Sequence, residues 1–320
     1  MIGLLLLSLV AWVFLLTGRR GFWRASPAIE DEPTPDLDDG PPVAAVVPAR
    51  NEAATVRAAL TSILRQDYPG RLRVVLVDDQ STDDTGRIAE ALASASDGRL
   101  EVIGAPPLPP GWSGKLWAVR TGLAEVPDDV PLVWLTDADI GHDTQTLRRL
   151  VAKAERDRLD LVSLMVRLDT ETWIERLLIP PFVFFFQKLY PFRAVNDPAS
   201  GVAAAAGGCA LVRRGALEAA GGIEAIRDEL IDDVALARAI KHRAGGGHAI
   251  WLGHGRLEQS LRRYARLGEV WDMVARSADE QLGHSLTLLA LTIAGMALLY
   301  LVPVLGLLIG LLGGGSALGV

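Results

Sequence analysis

Cysteine is almost absent from this chain of 320 residues, and histidine is sparse. The single cysteine, Cys209, excludes an intramolecular disulfide and fits a reducing compartment. The five histidines are scattered, and no two of them have the spacing of zinc ligands. A dense basic stripe is missing and the net charge is −7, which disfavours nucleic acid as a partner.

Charge is missing from the N-terminal end of the chain. Residues 1–18 carry no charged side chain, and as a helix they would reach roughly 27 Å, close to the ~30 Å apolar thickness of a bilayer. Arg19, Arg20 and Arg24 follow this run together with Trp23, whereas a cleaved signal peptide has its positive charges before the apolar run. We therefore expect a transmembrane anchor at residues 1–18, with a cleaved signal peptide as the alternative.

Charge is missing again from residues 285–320, which as one helix would be about 54 Å long. Either two short membrane passes meet near Pro303, or one pass carries an apolar tail. Arginines precede this segment at positions 262, 263, 266 and 276. Because positive charge favours the cytoplasmic side, we expect a bacterial-type inner membrane protein whose central domain faces the cytoplasm.

Residues 19–42 read as an acidic, proline-rich linker. From residue 26 to residue 42 there are six acidic residues, five prolines and no basic residue. Such a composition favours an extended, solvated segment, because little apolar surface is available for burial.

The centre of the chain alternates short β-rich runs with amphipathic helical stretches, which predicts an α/β domain with a largely parallel sheet. Apolar residues recur at helical spacing in residues 56–64 and 147–154, so each helix presents one apolar stripe to the sheet. The predicted strands are residues 43–48, 73–79, 100–105, 131–137, 161–166 and 249–253.

Acidic residues stand at the carboxyl ends of these strands, where open α/β sheets bind ligands. The segments are "PARNE" (48–52), "DDQSTDDT" (78–85) and "DAD" (137–139). Asp137 and Asp139 would repel each other without a counter-charge, and Mg²⁺ or Mn²⁺ with bound phosphate oxygens would supply it. Helix capping with solvation in a loop is the alternative.

The chain resembles glycosyltransferase family 2 in six motifs that occur in the family's order. They are "VVPARNE", "VDDQSTDDT", "GKLWAVRTGL", "LTDAD", "GGCALVRR" and "IDDVALARAIK". The membrane-flanked layout and "PPFVFFFQKLYPF" resemble, more narrowly, the hopene-associated glycosyltransferases, near the ceramide glucosyltransferases. The resemblance implies a GT-A fold, with a Rossmann-like mixed sheet, over residues 43–255. Residues 256–284 would then be a membrane-proximal segment.

The resemblance also assigns the donor site. Pro48, Ala49, Arg50 and Glu52 match the end of the first strand, where the family holds the nucleotide, and Glu52 would take uracil or ribose hydroxyls. Asp79 would contact the uracil ring. The alternatives are a helix N-terminal charge for Glu52 and an Asx turn with Ser81 for Asp79.

The same resemblance implies how the sugar is transferred. Lys115 would lie beside the donor diphosphate, Asp137 would face the sugar or ribose, and Asp139 would ligate the metal with Asp137. Asp233 would be the base that takes the acceptor's proton, and Asp232 would orient it or the acceptor. Stabilisation of a helix N-terminus is the alternative for this acidic pair.

The sequence departs from the family at the QxxRW motif that many lipid-directed relatives carry. The corresponding segment is "QSLRRY" (259–264), followed by "WDMVARSADEQL". We therefore leave Gln259, Arg262, Arg263 and Trp271 out of the predicted site.

The acceptor is expected to be a lipid. The segment 180–192 holds five phenylalanines, one tyrosine and a single charged residue, Lys188. An interfacial helix over 176–192 is therefore predicted, with Lys188 reaching lipid phosphate. A core helix is the alternative. The expected function is transfer of a sugar from a nucleotide donor, expected to be UDP-linked, to a lipid. A polyprenyl-phosphate acceptor, a non-catalytic nucleotide-sugar-binding protein and a nucleotidyltransferase are the alternatives; the last would require a glycine-rich phosphate loop, which "PARNE" is not.

Overall fold

A single mixed β-sheet positions the candidate site. The computed structural model describes residues 2–25, 27–33, 39–243, 249–264 and 266–313. Its strands are β1 Val43–Ala49, β2 Leu72–Asp78, β3 Leu100–Gly104, β4 Leu132–Thr136, β5 Ile140–Gly141, β6 Leu161–Arg167, β7 Cys209–Arg213 and β8 Ile250–Ser260. Within the described residues the spatial order is β3-β2-β1-β4-β7-β6-β8-β5.

Parallel pairing joins β1 to β2, β1 to β4, β2 to β3 and β6 to β8. β7 runs antiparallel to β4 and β6, and β5 runs antiparallel to β8. The sheet is therefore mixed, as the family resemblance implied, and less uniformly parallel than the strand pattern alone predicted. All six predicted strands are present, while β5 and β7 were not predicted.

Helices cover both faces of the sheet. They are α1 Ile2–Gly18, α2 Val56–Leu64, α3 Thr85–Ala93, α4 Gly114–Ala124, α5 Thr146–Arg156, α6 Trp173–Leu189, α7 Phe192–Val195, α8 Arg214–Ala219, α9 Asp232–Lys241, α10 Leu267–Gln281, α11 Leu286–Met296 and α12 Val302–Gly313. The predicted apolar stripes of α2 and α5 are buried, which confirms both helices.

The sequence of β1 is apolar throughout because both faces of this strand are buried. Ala44 and Val46 belong to one buried cluster, whereas Ala45 and Val47 belong to another. Successive side chains of a strand point to opposite faces, so each face of β1 contributes to a separate core. The sheet is thus covered on both sides, and ligands reach it at the ends of its strands.

Part of the predicted linker is packed against the domain. Ala28 and Ile29 are buried, and the carbonyl of Pro27 accepts a hydrogen bond of 2.8 Å from the His254 amide of β8. Asp31 forms an ion pair of 2.6 Å with Arg256. The expectation of a solvated linker is therefore wrong for residues 27–33, because two apolar side chains and backbone bonding to β8 hold this segment. Residues 34–38 of the predicted linker lie outside the described residues.

The C-terminal apolar segment forms one continuous helix. α11 and α12 are joined by a π-helical turn at Ala297–Leu301, and Pro303 lies inside the helix. Residues Leu286–Leu312 are long and apolar enough to cross a membrane. Of the two arrangements left open by the sequence, the structure has the single helix; residues 314–320 lie outside the described range.

The N-terminal helix packs along this C-terminal helix. Trp12 donates a hydrogen bond of 2.8 Å from Nε1 to the carbonyl of Leu299, and its ring contacts Tyr300 edge-on at 5.5 Å between centroids. α1 has 17 residues, so it is shorter than the C-terminal candidate span. The predicted anchor at residues 1–18 stays a prediction.

Aromatic residues of α6 pack on both apolar helices. Phe184 contacts Phe22, which follows α1, at 5.3 Å between ring centroids, and Phe185 contacts Tyr300 at 5.7 Å. The ammonium of Lys188 lies 3.3 Å from the Tyr300 hydroxyl. The aromatic segment therefore joins the sheet to the two terminal helices, and its interfacial position stays a prediction.

Candidate active site

The carboxyl ends of β2, β1 and β4 lie side by side and carry the residues that the sequence singled out. Pro48 and Ala49 end β1, and Arg50 and Glu52 follow them. Asp79 comes directly after β2. Asp137 comes directly after β4, with Asp139 in the turn that leads to β5. Because β1 pairs with β2 and β4, the structure brings the three predicted motifs to one edge of the sheet.

The loops after β1 and β2 are fastened to each other. The Asn51 amide donates to the Ser81 hydroxyl at 2.9 Å, and the Thr82 amide donates to the Asn51 side-chain oxygen at 2.8 Å. Asn51 and Gln80 both have left-handed backbone conformations, with φ of 56° and 55°. The two bonded loops together place the side chains of Arg50 and Asp79 next to each other.

Asp79 is buried, and its carboxylate faces Arg50. The Arg50 guanidinium lies 3.3 Å from Oδ2 of Asp79. The predicted alternative for Asp79, an Asx turn with Ser81, is not what the structure has, because the Ser81 amide donates to the Asp78 carboxylate instead, at 3.0 Å. A Cβ on Gly114 would stand 3.0 Å from the Asp79 carboxylate, so glycine at the start of α4 permits this close approach.

Lys115 is the centre of the charge cluster. Its ammonium lies 2.9 Å from Asp137 and 3.1 Å from Asp232. Burial acts to lower the pKa of Lys115, but the carboxylates of Asp137 and Asp232 outweigh it and raise that pKa well above its ordinary value. Burial also raises the pKa of Asp137, against the effect of Lys115. The lysine is therefore charged and joins the end of β4 to the start of α9.

Asp233 is held by two backbone amides. Its Oδ2 accepts from the Gly207 amide at 2.8 Å, and its Oδ1 accepts from the Val234 amide at 2.7 Å. Burial, and then the neighbouring Asp232 carboxylate, raise the pKa of Asp233 to about 7, although Lys115 and the two amides oppose them. A carboxyl group with this pKa exchanges protons near neutral pH, as a general base requires.

Arg262 is a site residue that the sequence analysis left out. Its Nε lies 2.9 Å from Asp139, and its guanidinium also pairs with Glu52. The Leu261 amide donates to the Asp139 carbonyl at 2.7 Å, which fixes the end of β8 against the turn after β4. Burial raises the pKa of Glu52, opposed by Arg262.

The QxxR spacing is the sequence signal for Arg262, although the tryptophan that completes the family motif is missing here. The neighbouring positions of that motif bond elsewhere. Gln259 accepts from Arg167 at 2.6 Å, and Arg263 lies 3.0 Å from Glu171. Trp271 is exposed on α10. Of these four residues, only Arg262 bonds the site carboxylates in the described structure.

Asp137 and Asp139 thus have separate counter-charges, Lys115 and Arg262. Among the described residues no group of three or more His, Cys, Asp or Glu side chains is arranged to hold a metal. Two carboxylates nevertheless fit a hard divalent cation that takes its other ligands from donor phosphates and water. The donor set of the turn after β4 is therefore chemically suited to Mg²⁺ or Mn²⁺.

Comparison with known sequences gives the family. The model of glycosyl transferase family 2 matches residues 44–221, more than half of the chain. The probable glycosyltransferase YdaM of Bacillus subtilis (strain 168) is 34% identical over 105 residues, which are 32% of this chain and 24% of that protein. An N-acetylglucosaminyltransferase of Rhizobium meliloti (strain 1021) is 29% identical over 196 residues, 60% of this chain and 42% of that protein. The chain spans less than half the length of these curated relatives.

Comparison with solved structures supports the fold. The mannosyltransferase PcManGT from Pyrobaculum calidifontis, solved in complex with GDP-Man and Mn²⁺, has a TM-score of 0.60 at 24% identity, covering 88% of this chain and 74% of that chain. At this identity the likeness shows the fold alone, an α/β architecture of the GT-A kind. Sequence and fold agree, and the chain belongs to glycosyl transferase family 2.

Proposed function

We propose that this protein is a membrane-bound inverting glycosyltransferase that moves a sugar from a nucleotide-sugar donor, a UDP-sugar, to a lipid acceptor. The observation that carries the proposal is the cluster of Asp137, Lys115, Asp232 and Asp233. In it, one half-buried lysine pairs with Asp137 at the end of β4 and with Asp232 at the start of α9, next to Asp233, whose pKa is raised to about 7. The proposed donor-side acid pairs with this ammonium group, and the proposed acceptor-side base lies close enough to feel its charge.

The donor nucleotide would lie over the ends of β1 and β2. Asp79 is buried with one carboxylate oxygen near Arg50, and its other oxygen would accept the ring N–H of uracil. Glu52 would accept ribose hydroxyls once Arg262 leaves it. Pro48 and Ala49 end β1 beneath this space.

The diphosphate would lie over Asp137, Asp139 and Lys115. Asp139, with Asp137, would hold a Mg²⁺ or Mn²⁺ ion, which is consistent with the Mn²⁺ in the complex of the mannosyltransferase PcManGT. Such an ion, when bound, supplies positive charge that stabilises the departing diphosphate. Arg262 would then turn from Glu52 and Asp139 toward the phosphate oxygens, where a guanidinium binds well.

The sugar position requires a rearrangement of the site. The cavity lined by Lys115, Asp137, Asp232 and Asp233 has a volume of about 30 Å³, enough for about one water molecule. Its other walls are apolar side chains, among them Ile223 and Leu236. Donor binding must therefore draw Lys115 toward the diphosphate and open this cavity for the sugar.

The chemical step is a single displacement. Asp233 removes the proton of the acceptor hydroxyl, and the oxygen forms a bond to the anomeric carbon as the bond from that carbon to the diphosphate breaks. The nucleoside diphosphate leaves with the electron pair of the broken bond, and the proton remains on Asp233 until it passes to solvent. Asp232, paired with Lys115, orients the acceptor or the base.

The lipid acceptor is supported by the apolar surfaces around the domain. The span Leu286–Leu312 and the N-terminal helix lie together, and α6 connects both to the sheet. An interfacial α6 would deliver a lipid laterally from the cytoplasmic leaflet of a bacterial-type inner membrane. The narrower resemblance to hopene-associated glycosyltransferases suggests a hopanoid-related acceptor; a polyprenyl phosphate is the second candidate, because Lys188 at the end of α6 suits a phosphate.

The proposal is tested by donor turnover in detergent with a panel of nucleotide sugars and membrane lipid extract, the product being identified by mass spectrometry. We expect Asp139→Asn and Asp233→Asn to lower kcat by about a hundredfold or more. Asp129→Asn is the matched control, since Asp129 is exposed and pairs with Arg71 at the amino ends of β4 and β2, the opposite edge of the sheet. Full activity in either site variant would contradict the roles assigned to these residues. Donor binding without turnover under all acceptors would instead favour a non-catalytic binding protein.

A further inference from the structure

A buried hydrogen-bonded link lies beneath the candidate site and is not used by the mechanism above. Thr136, the last residue of β4, donates from its hydroxyl to the carbonyl of Gly208 at 2.9 Å. The same hydroxyl oxygen lies 2.8 Å from Nε2 of His142. Thr136 is 1% exposed and His142 is 7% exposed, so neither group exchanges these partners for water.

The partners determine which nitrogen of His142 carries the proton. A hydroxyl has one proton, and Thr136 gives it to Gly208, so the Thr136 oxygen must accept from Nε2–H of His142. Burial lowers the pKa of His142 to about 3, which makes the ring neutral with this single proton. Nδ1 is then an acceptor, and it has no hydrogen-bond partner among the described residues. The histidine therefore acts as a fixed, neutral donor.

His142 is itself fixed from two other directions. Its ring packs against Trp134 of β4 at 4.6 Å between centroids. Its backbone amide donates to the Ser62 hydroxyl of α2 at 3.0 Å. The donor is therefore held at a constant position relative to β4 and α2.

The Thr136 link leads to Asp233. Gly208 follows Gly207, whose amide donates to Oδ2 of Asp233 at 2.8 Å. On the preceding side, the Ala206 amide donates to the Ser163 hydroxyl at 2.8 Å. The backbone on either side of the Gly207 amide is thus held in place, by Thr136 at Gly208 and by Ser163 at Ala206.

We propose that His142 is a positioning residue that acts through Thr136 to hold the Gly207–Gly208 backbone against Asp233 while keeping Asp137 at the tip of β4. The expected effect on catalysis rests on the proposed function. The expected effect on the position of the Gly207–Gly208 backbone does not. The groups that act electrostatically on Asp233 from its surroundings are Asp232 of α9, Lys115 of α4 and Tyr190 after α6. None of them belongs to the Thr136 link, so the link is removable without altering their charges.

Paired substitutions test the link. Thr136→Val and His142→Phe keep the volume and remove the hydrogen bonds, whereas Thr136→Ser and His142→Gln each keep a group that can bond in the same place. We expect the first pair to lower kcat by about tenfold with the donor KM changed less than about twofold, because a base that is displaced affects the transition state more than donor binding. The second pair should recover most of kcat.

A pH profile separates positioning from loss of stability. Weakening the Gly207 bond removes a donor from the Asp233 carboxylate, so the midpoint of the kcat profile should rise by about half a pH unit in Thr136→Val and His142→Phe. Equal midpoints in all four variants, with lower Tm alone in the first pair, would overturn the proposal. If Thr136→Val does not fold, the comparison of His142→Phe with His142→Gln provides the same test.

A titration independent of turnover distinguishes failure of this inference from failure of the proposed function. The Asp233 carboxyl carbon is followed by ¹³C NMR between pH 5 and about 9, with Asp233→Asn identifying its signal. A higher midpoint in Thr136→Val that returns in Thr136→Ser supports the link even when no donor is turned over. An unchanged midpoint overturns it even when the wild-type protein is active.

Discussion

The charge balance of the site depends on Lys115. One ammonium group stands between Asp137 and Asp232, and it also acts on Asp233. Like charges at this spacing are tolerable only with a cation between them or with one carboxyl protonated. Burial and the Asp232 carboxylate raise the pKa of Asp233 to about 7, so this carboxyl group is partly protonated at neutral pH.

The pH dependence of the reaction follows from Asp233. The proposed base must be ionised to accept a proton, so we expect kcat to fall below this pKa and to rise with pH through about 7. In Lys115→Met the loss of a cation should move this midpoint to higher pH, whereas Lys115→Arg keeps the charge and should keep the midpoint close to that of the wild type. The measurement is kcat against pH at saturating donor. A midpoint that falls in Lys115→Met would contradict the assignment.

Most residues of the candidate site could be picked out from the sequence, because the carboxyl ends of neighbouring parallel strands lie at the same edge of a sheet. Asp79 and Asp137 follow predicted strands directly, so their proximity needs only the order of the sheet. The roles of these residues stay proposals. Arg262 was not predicted, because its contact with Glu52 joins residues 210 positions apart and depends on the long-range pairing of β8 with β5.

Two elements, β5 and β8, bring Arg262 to the site. Gly141 pairs with Gln259 in this short antiparallel contact, and the chain after β8 then crosses the turn that carries Asp139. Neither the length of β8 nor its pairing with a two-residue strand follows from local pattern, since both depend on tertiary contacts. The predicted strand 249–253 covers only the first part of β8.

Arg262 and a divalent cation are alternative counter-charges for Asp139. We therefore expect Arg262→Ala to bind Mn²⁺ alone about two- to tenfold more tightly than wild type, equivalent to ~0.4 to 1.4 kcal/mol, while its affinity for donor in the presence of Mn²⁺ falls. The measurement is calorimetric titration with Mn²⁺ and then with UDP-sugar. Arg263→Ala is the matched control, because Arg263 pairs with Asp169 and Glu171 rather than with the site acids. Weaker Mn²⁺ binding in Arg262→Ala would show that the guanidinium does not compete with the metal.

The whole molecule is a catalytic sheet joined to two terminal apolar helices. The apolar ends can be predicted from the sequence, because a long run without charged residues is a local property that needs no knowledge of the fold. The packing of α1 on the C-terminal helix through Trp12 and the burial of residues 28 and 29 against β8 were not visible, because they depend on where the sheet places its surfaces.

The proposed orientation places the whole catalytic sheet on the cytoplasmic side. Asp97 lies in an exposed turn after α3, and Cys209 is buried, so a cysteine introduced at position 97 becomes the accessible thiol. We expect Asp97→Cys to react with a membrane-impermeant maleimide in inverted inner-membrane vesicles and not in intact spheroplasts. Asp97→Ser is the control for background from Cys209. Labelling from the outside of spheroplasts would contradict the orientation.

The central claim is that donor and cation bind at the tip of β4, where Arg262 and Lys115 now neutralise the acids. The most direct measurement is a crystal structure of the protein with Mn²⁺ and a UDP-sugar, in which anomalous scattering locates the metal. We predict the manganese peak on Asp139, the uracil at Asp79 and the Arg262 guanidinium moved away from Glu52. A nucleotide bound elsewhere, with Arg262 still paired to Glu52 and Asp139 and no manganese between the site acids, would contradict the account.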